Sequence, residues 1–457
     1  MSAAAPLPLL AGAPLDAPLA WRAGLPISRR QYLADVAALA RRLPDGDAVL
    51  AVCNDRYRFA LSLGAAMQRG QFNLMPPNHT PDMVERLKSL FDGAYAITDA
   101  DAPDVALPNL RFDTEDAPLS PADAVPEIGA DRVVVHGLTS GTTGMPTQHA
   151  KRWGLLVENI RAEAERLASH LGRPSLEGVA IVGTVPAHHM YGFESTVMLA
   201  LLGGAAFAAE RPFFAADIAR VLQQVPRPRL LVITPFHLKS LIDAGLDLPP
   251  VDLIVSATAP LSPQMAARAE AAWQAPLVEI YGCTEAGQVA TRRTTVGDVW
   301  HTFGSLRIAG DGDACSVSGG HVAEPTPLAD ALEVLAPDRF RLLGRSNDLI
   351  NVAGKRSSLA HLNFHLNSID GVRDGAFWLP PAASVEGVVR PVAFVVAPDV
   401  SRDALRAALR LRIDPVLLPR RIVYLDALPR DATGKLPAAR LAALAAQRFG
   451  SDSAADH

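Results

Sequence analysis

Apolar residues recur along this chain with two periods. Over residues 28–43, Leu33, Val36, Leu39 and Leu43 fall at helical spacing behind Ser28, a good N-cap. Residues 49–53 form an apolar run of strand length, followed by a helical pattern over 58–68 that stops at Gly70. A helix over 81–91 and a strand over 94–98 continue the rhythm. Strands are expected again at 133–135, 179–185, 205–208, 230–233, 253–255 and 277–281. Helices fall between them at 155–171, 194–202, 215–224, 235–244 and 264–273. Alternation of this kind predicts an α/β fold with βαβ-type layered sheets. Residues 99–131, rich in Pro and Asp, read as an irregular connection.

The pattern changes after about residue 300. Short β-like pieces (331–335, 339–343) precede a turn at Gly344–Asp348, and the boundary is placed there. The tail carries a helix over 360–369, strands at 375–378 and 388–396, a helix over 401–411 and a strand at 422–425. Two domains follow: residues 1–345, and a small mobile α+β domain over 346–457.

Length supports that division, since 457 residues exceed a single core. A net charge of −5 gives no reason to expect nucleic acid or an anionic membrane as a partner. The longest uncharged apolar run, 197–209, is too short to span a bilayer, so no membrane insertion is expected. Residues 1–19 read as a loose leader without the charged start of a signal peptide. Cys53, Cys283 and Cys315 form no metal or redox spacing, which suits a cytoplasmic protein.

Three stretches carry the chemistry. The first is Thr139-Ser140-Gly141-Thr142-Thr143-Gly144, read as a loop between a strand and a helix. Glycines bring backbone N–H groups close to anionic oxygens and hydroxyls donate further bonds, so the loop can hold phosphates. The alternative is a surface turn, and the stretch lacks the Walker spacing. The second is Tyr281-Gly282-Cys283-Thr284-Glu285, and the third is Pro429-Arg430-Asp431-Ala432-Thr433-Gly434-Lys435. In this order they resemble the adenylate-forming superfamily, the acyl- and aryl-CoA synthetases and their relatives, over about residues 30–445.

The resemblance implies an enzyme that uses ATP and Mg²⁺ to join a carboxylic acid to AMP. The acyl group then passes to CoA or a phosphopantetheinyl acyl carrier protein. Thr139 to Gly144 would hold the outer phosphates. Thr284 would bond the α-phosphate and Glu285 would hold the metal. Tyr281, Gly282 and the turn Ala257-Thr258-Ala259-Pro260 would face adenine, while Asp330 would meet the ribose and Arg345 the ribose or the phosphate. Lys435 would bridge the acid and the α-phosphate during attack, and Asn347 would be the hinge that later removes it. Gly354 would then approach the thiol tunnel, which His189 would gate. Adjacent histidines in a strand point apart, so His188 and His189 are not expected to bind metal. The chain departs from the family where Thr147 replaces a lysine; Lys151 and Arg152 are the nearest cations.

An acid pocket walled by Tyr191, Gly192, Phe193 and Gly304 would be largely apolar, suiting an aromatic or hydroxyaromatic acid. A medium- or long-chain fatty acid is the alternative. The lost loop lysine keeps open a non-catalytic or transfer-only adenylate-binding relative.

Overall fold

The computed structural model describes residues 5–99, 105–112, 124–140, 146–345, 349–352, 355–380, 390–430 and 436–449. Contacts divide the chain into two units. One holds Met1–Ala259, Arg268–Arg307 and Val317–Thr326; the other holds Pro260–Ala267, Ile308–Ser316 and Pro327–His457. Among the described residues no helix is long and apolar enough to cross a membrane.

The first unit contains two sheets. In one, Phe72–Met75, Ala48–Val52, Tyr95–Thr98 and Asn109–Arg111 lie parallel beside Val133–Ser140. The helix Arg56–Arg69 packs on it and the helix Arg29–Arg42 packs on that helix; Asp55 opens Arg56–Arg69, its carboxylate accepting from Arg58 N–H at 2.9 Å. In the other sheet, Leu277–Cys283, Leu253–Ser256, Arg229–Ile233, Ala180–Gly183 and Ala206–Ala208 run parallel. These strands are continuous apolar runs because both their faces are covered.

Arg56 joins the two sheets. Its guanidinium donates to the carbonyls of Ala208 (2.8 Å), Glu210 (3.1 Å), Gly183 (3.0 Å) and Val185 (3.0 Å). The side chain is buried, and burial lowers its pKa to about 10, still charged at neutral pH.

Of the expected loose leader, residues 1–19, the described part from residue 5 onward is built into the fold. Pro18–Arg22 is a strand, parallel to Ala206–Ala208, and Leu9, Leu10 and Leu19 are core residues. Trp153 Nε1 donates to the Leu7 carbonyl at 3.1 Å, fixing the segment to the first unit. Gly12 (φ +84°) and Gly204 (φ +89°) meet so closely that a Cβ on Gly12 would stand 2.6 Å from Gly204 N. Apolar burial outweighs the loop-like composition here.

Two further expectations change. The phosphate-loop stretch does not lead straight into a helix: Pro146–Arg152 pairs antiparallel with Val133–Ser140, and only then does Trp153–His170 begin. The helix expected over 194–202 starts at Met190 and includes wide π-helical turns over Phe193–Met198.

In the second unit, Asp330–Ala336 and Arg339–Arg345 form a hairpin. Asp374–Trp378, Val392–Val396 and Arg421–Tyr424 form a three-stranded sheet. Its alternating faces bury separate clusters. Phe377 and Val395 pack with Leu362, Leu366, Leu405 and Leu409, while Ala376 and Phe394 pack with Leu441 and Ala445. The last two lie on the helix Ala438–Phe449, a Leu/Ala-rich stretch beyond the last element expected from the sequence.

Candidate active site

Two hairpins of the first unit meet at the site. The first is Val133–Ser140 with Pro146–Arg152, in which Thr147 lies opposite Thr139 and His149 opposite Gly137. Thr147, His149 and Lys151 share one strand face. The second is Leu277–Cys283 with Gly287–Arg292, so Thr284 and Glu285 occupy a hairpin turn, not a helix start. That turn is tight: a Cβ on Gly282 would lie 2.5 Å from the Gly287 carbonyl, and Ala286 N–H donates to Cys283 Sγ at 3.5 Å.

Gly137 lets the hairpins touch, since a Cβ there would stand 2.8 Å from Thr284 Cγ2. Across the junction Lys151 Nζ donates to the Glu285 carbonyl at 3.1 Å. His149 Nε2 hydrogen-bonds Thr139 Oγ1 at 2.9 Å and lies 3.7 Å from Glu285 Oε1. Burial lowers the Lys151 ammonium pKa, opposed by Glu194, Cys283 and Glu285. Burial also lowers His149; Glu285 opposes this and Lys151 adds to it.

The remaining expected residues are distributed as follows. Tyr281 is 8% exposed and presents its ring edge to Trp300, with centroids 5.9 Å apart. Ala257, Thr258 and Ala259 follow the C-terminal end of the strand Leu253–Ser256, where ligands of parallel sheets bind. Thr258 has φ +80°, a strained value for a β-branched residue. Tyr191 donates to the Val255 carbonyl at 2.8 Å, with the Ile233 carbonyl at 3.3 Å. Phe193 is fully buried, and Gly192 packs onto Pro186. Gly304 instead lines a separate cavity of about 420 Å³ with Arg161, Glu165 and Phe303. In the second unit Asp330 lies opposite Arg345 in the hairpin. Gly141, Thr142, Thr143, Gly144, Asn347, Gly354 and Lys435 lie outside the described residues. Shortly before Lys435, Arg430 makes a bidentate pair with Asp374 at 2.6 and 2.7 Å.

His188 and His189 sit in a turn, not a strand, and their rings are 4.7 Å apart instead of pointing away from each other. Burial, with His79, His189 and Arg211 nearby, holds His188 well below its usual range. Among the described residues no three His, Cys, Asp or Glu side chains gather as a metal site. A single half-exposed carboxylate at Glu285 still fits Mg²⁺, which takes most of its oxygens from phosphate and water.

Sequence reasoning missed Asn159, Glu163 and His321. All three are buried, and the first two interrupt the apolar face of Trp153–His170 at i, i+4 spacing. That interruption was the available signal. Asn159 Nδ2 donates to Glu194 Oε1 at 2.9 Å, and Gln288 Nε2 to Ser195 Oγ at 3.0 Å. Burial pushes the Glu163 carboxyl up to about 7 and Glu194 to about 8.

Residues 20–314 match the family model described as AMP-binding enzyme. A 4-coumarate–CoA ligase from Rhodobacter capsulatus is 33% identical over 302 residues, 65% of this chain and 73% of that protein. One from Halorhodospira halophila is 29% identical, again over 65% and 73% of the two chains. The anthranilate CoA ligase AuaEII, solved with anthranoyl-AMP, shares the fold with a TM-score of 0.76 at 16% identity, covering 98% of each chain. A match that begins in the buried N-terminal strand and runs past both hairpins places the chain in the AMP-binding enzyme family, the adenylate-forming acid–thiol ligases.

Proposed function

We propose that the chain activates an aromatic or hydroxyaromatic acid with ATP and passes the acyl group to a pantetheine thiol. The observation that carries this reading is the meeting of Thr139, His149 and Lys151 with Glu285. Acid activation must bring two anions together, and such a junction supplies a cation and hydrogen-bond donors beside a carboxylate.

The acid's carboxylate oxygen attacks the α-phosphorus, and the bond to pyrophosphate breaks. Thr284 and Lys435 would hold the charge that develops, Lys435 only while the two anions meet. Glu285 would hold Mg²⁺, which when bound draws charge from the phosphates. Thr139 to Gly144 would cradle the outer phosphates, with Lys151 in the role of the lysine replaced by Thr147. Tyr281 and the turn 257–260 would face adenine; Asp330 and Arg345 would face ribose. Residues 346–457 would then turn about Asn347, withdrawing Lys435 and bringing Gly354 to the thiol path beside His189. The thiolate attacks the carbonyl and AMP leaves. The acceptor is CoA or an acyl carrier protein. The relatives named as 4-coumarate–CoA ligases support the aryl class. The free thiols of Cys53, Cys283 and Cys315 suit the cytoplasm.

ATP–pyrophosphate exchange across aryl and fatty acids tests the reading, with Lys435→Ala as control. Exchange with an aryl acid, lost in Lys435→Ala while thioester still forms from synthetic acyl-AMP, is the expected result. Exchange only with fatty acids would assign the other substrate class. Thr147 favours one further reading, transfer from a ready-made adenylate; thioester from acyl-AMP without any exchange would establish it.

A further inference from the structure

In the second unit the helix Arg402–Arg410 buries one face and leaves the other to solvent. Ser401 caps it, its Oγ accepting from Ala404 N–H at 3.2 Å. On the inner face Leu405 and Leu409 are fully buried and pack with Leu362, Phe377 and Ile350. Arg402, Arg406 and Arg410 are exposed and recur every four residues, so they form a row about 12 Å long on one side of the helix. Leu411 ends the row and is 86% exposed.

Positive charge gathers here against the trend of the chain. Residues 401–421 hold six arginines and two aspartates, whereas the whole chain carries a net charge of −5. The two aspartates have local roles. Asp414 accepts from Val416 N–H at 3.0 Å, and Asp403 sits in the first turn, where the helix dipole favours it. Asp399, just before the helix, pairs with Arg373. Among the described residues Arg406 and Arg410 make no ion pair, and Arg402 lies over the Tyr424 ring, 6.0 Å from its centroid. Like charges four residues apart destabilise a helix, so the row does not serve the fold that carries it.

Shape and chemistry narrow its partner. The row stands on the outside of a helix, whereas a small ligand such as free CoA is held in a concave site. The rest of an acidic chain repels nucleic acid and anionic membranes, and one leucine is too little apolar surface for a lipid. An acidic helix of another protein answers both features, with carboxylates along the arginines and an apolar side chain against Leu411. The row is also tied to the proposed thiol path. Ile350, on the hairpin Leu349–Val352 with Lys355–Ser358, shares the core of Leu405 and Leu409. A partner seated on the arginines is therefore held at a set distance from that hairpin.

We infer that Arg402, Arg406, Arg410 and Leu411 form the docking surface for an acidic acyl carrier protein, whose pantetheine arm brings the acceptor thiol. This rests on the acid–thiol reading and chooses between its two acceptors.

The test starts from synthetic aryl-AMP and measures kcat/KM for acyl transfer to a panel of acidic holo-carrier proteins and to free CoA, with pyrophosphate exchange measured beside it. The wild type is expected to prefer a carrier, and transfer to it is expected to fall between about 0.05 and about 0.5 M salt. The double variant Arg406→Glu, Arg410→Glu is expected to lower carrier transfer at least about 30-fold, the scale of lost electrostatic steering. Leu411→Asp is expected to lower it about 10-fold, as truncating one interface anchor does. Arg406→Lys with Arg410→Lys keeps most of it. All three variants leave exchange and transfer to CoA unchanged. Carrier transfer unchanged in the glutamate variant overturns the surface, as does an equal loss with carrier and CoA, the mark of a merely structural role. Duplex DNA bound by the wild type and lost in the glutamate variant, with carrier transfer intact, would assign the row to nucleic acid instead. CoA as the sole acceptor overturns the surface and leaves the acid–thiol reading standing. Transfer to neither acceptor overturns both, whereas carrier transfer without exchange overturns acid activation alone.

Discussion

Lys151 Nζ sits 3.1 Å from the backbone carbonyl of Glu285, tying the strand after the phosphate-loop segment to the turn that carries the proposed metal carboxylate. The lysine lies on the same strand face as Thr147, four residues away, roughly 13 Å along the strand.

Lys151→Ala is therefore expected to lower kcat/KM for ATP by about 100-fold, the scale of losing one preorganised charge stabiliser. Thr147→Lys in that background is expected to recover part of the loss. Initial rates of pyrophosphate exchange against ATP concentration decide the matter. Unchanged rates in Lys151→Ala would reduce the lysine to a tie between hairpins.

Glu163 gives a pH dependence. Burial raises its carboxyl from 4.5 to about 7, so the folded protein holds a proton that the unfolded chain releases in between. Stability contributed by that proton is complete below about 4.5 and is lost as pH rises toward about 7. The span is worth about 3 kcal/mol at most. Urea midpoints from pH 5 to 8 are expected to fall more steeply for wild type than for Glu163→Gln. Parallel curves would show that the carboxyl is not held protonated.

Arg56 carries the join between the sheets. Arg56→Met is expected to cost about 3 kcal/mol or more, since three buried carbonyls and the part-buried one of Glu210 lose their donor at once. Arg56→Lys should recover little, because an ammonium cannot reproduce the planar fork. Equilibrium urea unfolding measures both. A loss below about 1 kcal/mol would mean that the carbonyls find other partners.

Gly192 tests the packing under Tyr191. A Cβ there would stand 2.1 Å from the Pro186 carbonyl, and backbone cannot swing aside as a flexible side chain can. Gly192→Ala is expected to lower stability by about 3 kcal/mol or more, visible as a drop in thermal midpoint. A near-normal midpoint would show that the turn 186–192 relaxes.

Sequence reading succeeded where burial is two-sided and local. The helix Ala215–Gln224 and the strand Leu253–Ser256 stand within a residue of their expected places, because amphipathic spacing and apolar runs announce themselves. It failed where a distant partner decides. Pro18–Arg22 contains a proline and an arginine and looks like a linker until Ala206–Ala208 lies beside it. Val133–Ser140 was legible only as its first three residues, since the rest gains its strand form from pairing with polar Pro146–Arg152. At the site, Glu285 was found by motif, but Asn159 and Glu163 were passed over. Polar residues on a helix read as solvated unless their register with Leu156, Ile160 and Leu167 is followed inward.

The N-terminal strand also sets a clock for the growing chain. Ala20 pairs with Phe207, about 190 residues later, so this apolar segment has no place in the large parallel sheet until residue 207 has been made. At ribosomal speed that wait lasts about 10–40 s. Leu9, Leu10 and Leu19, silent in the finished core, are exposed ligands for a chaperone throughout it. Nascent chains arrested near residue 150 should bind a chaperone through this segment, and chains arrested well beyond residue 250 should release it.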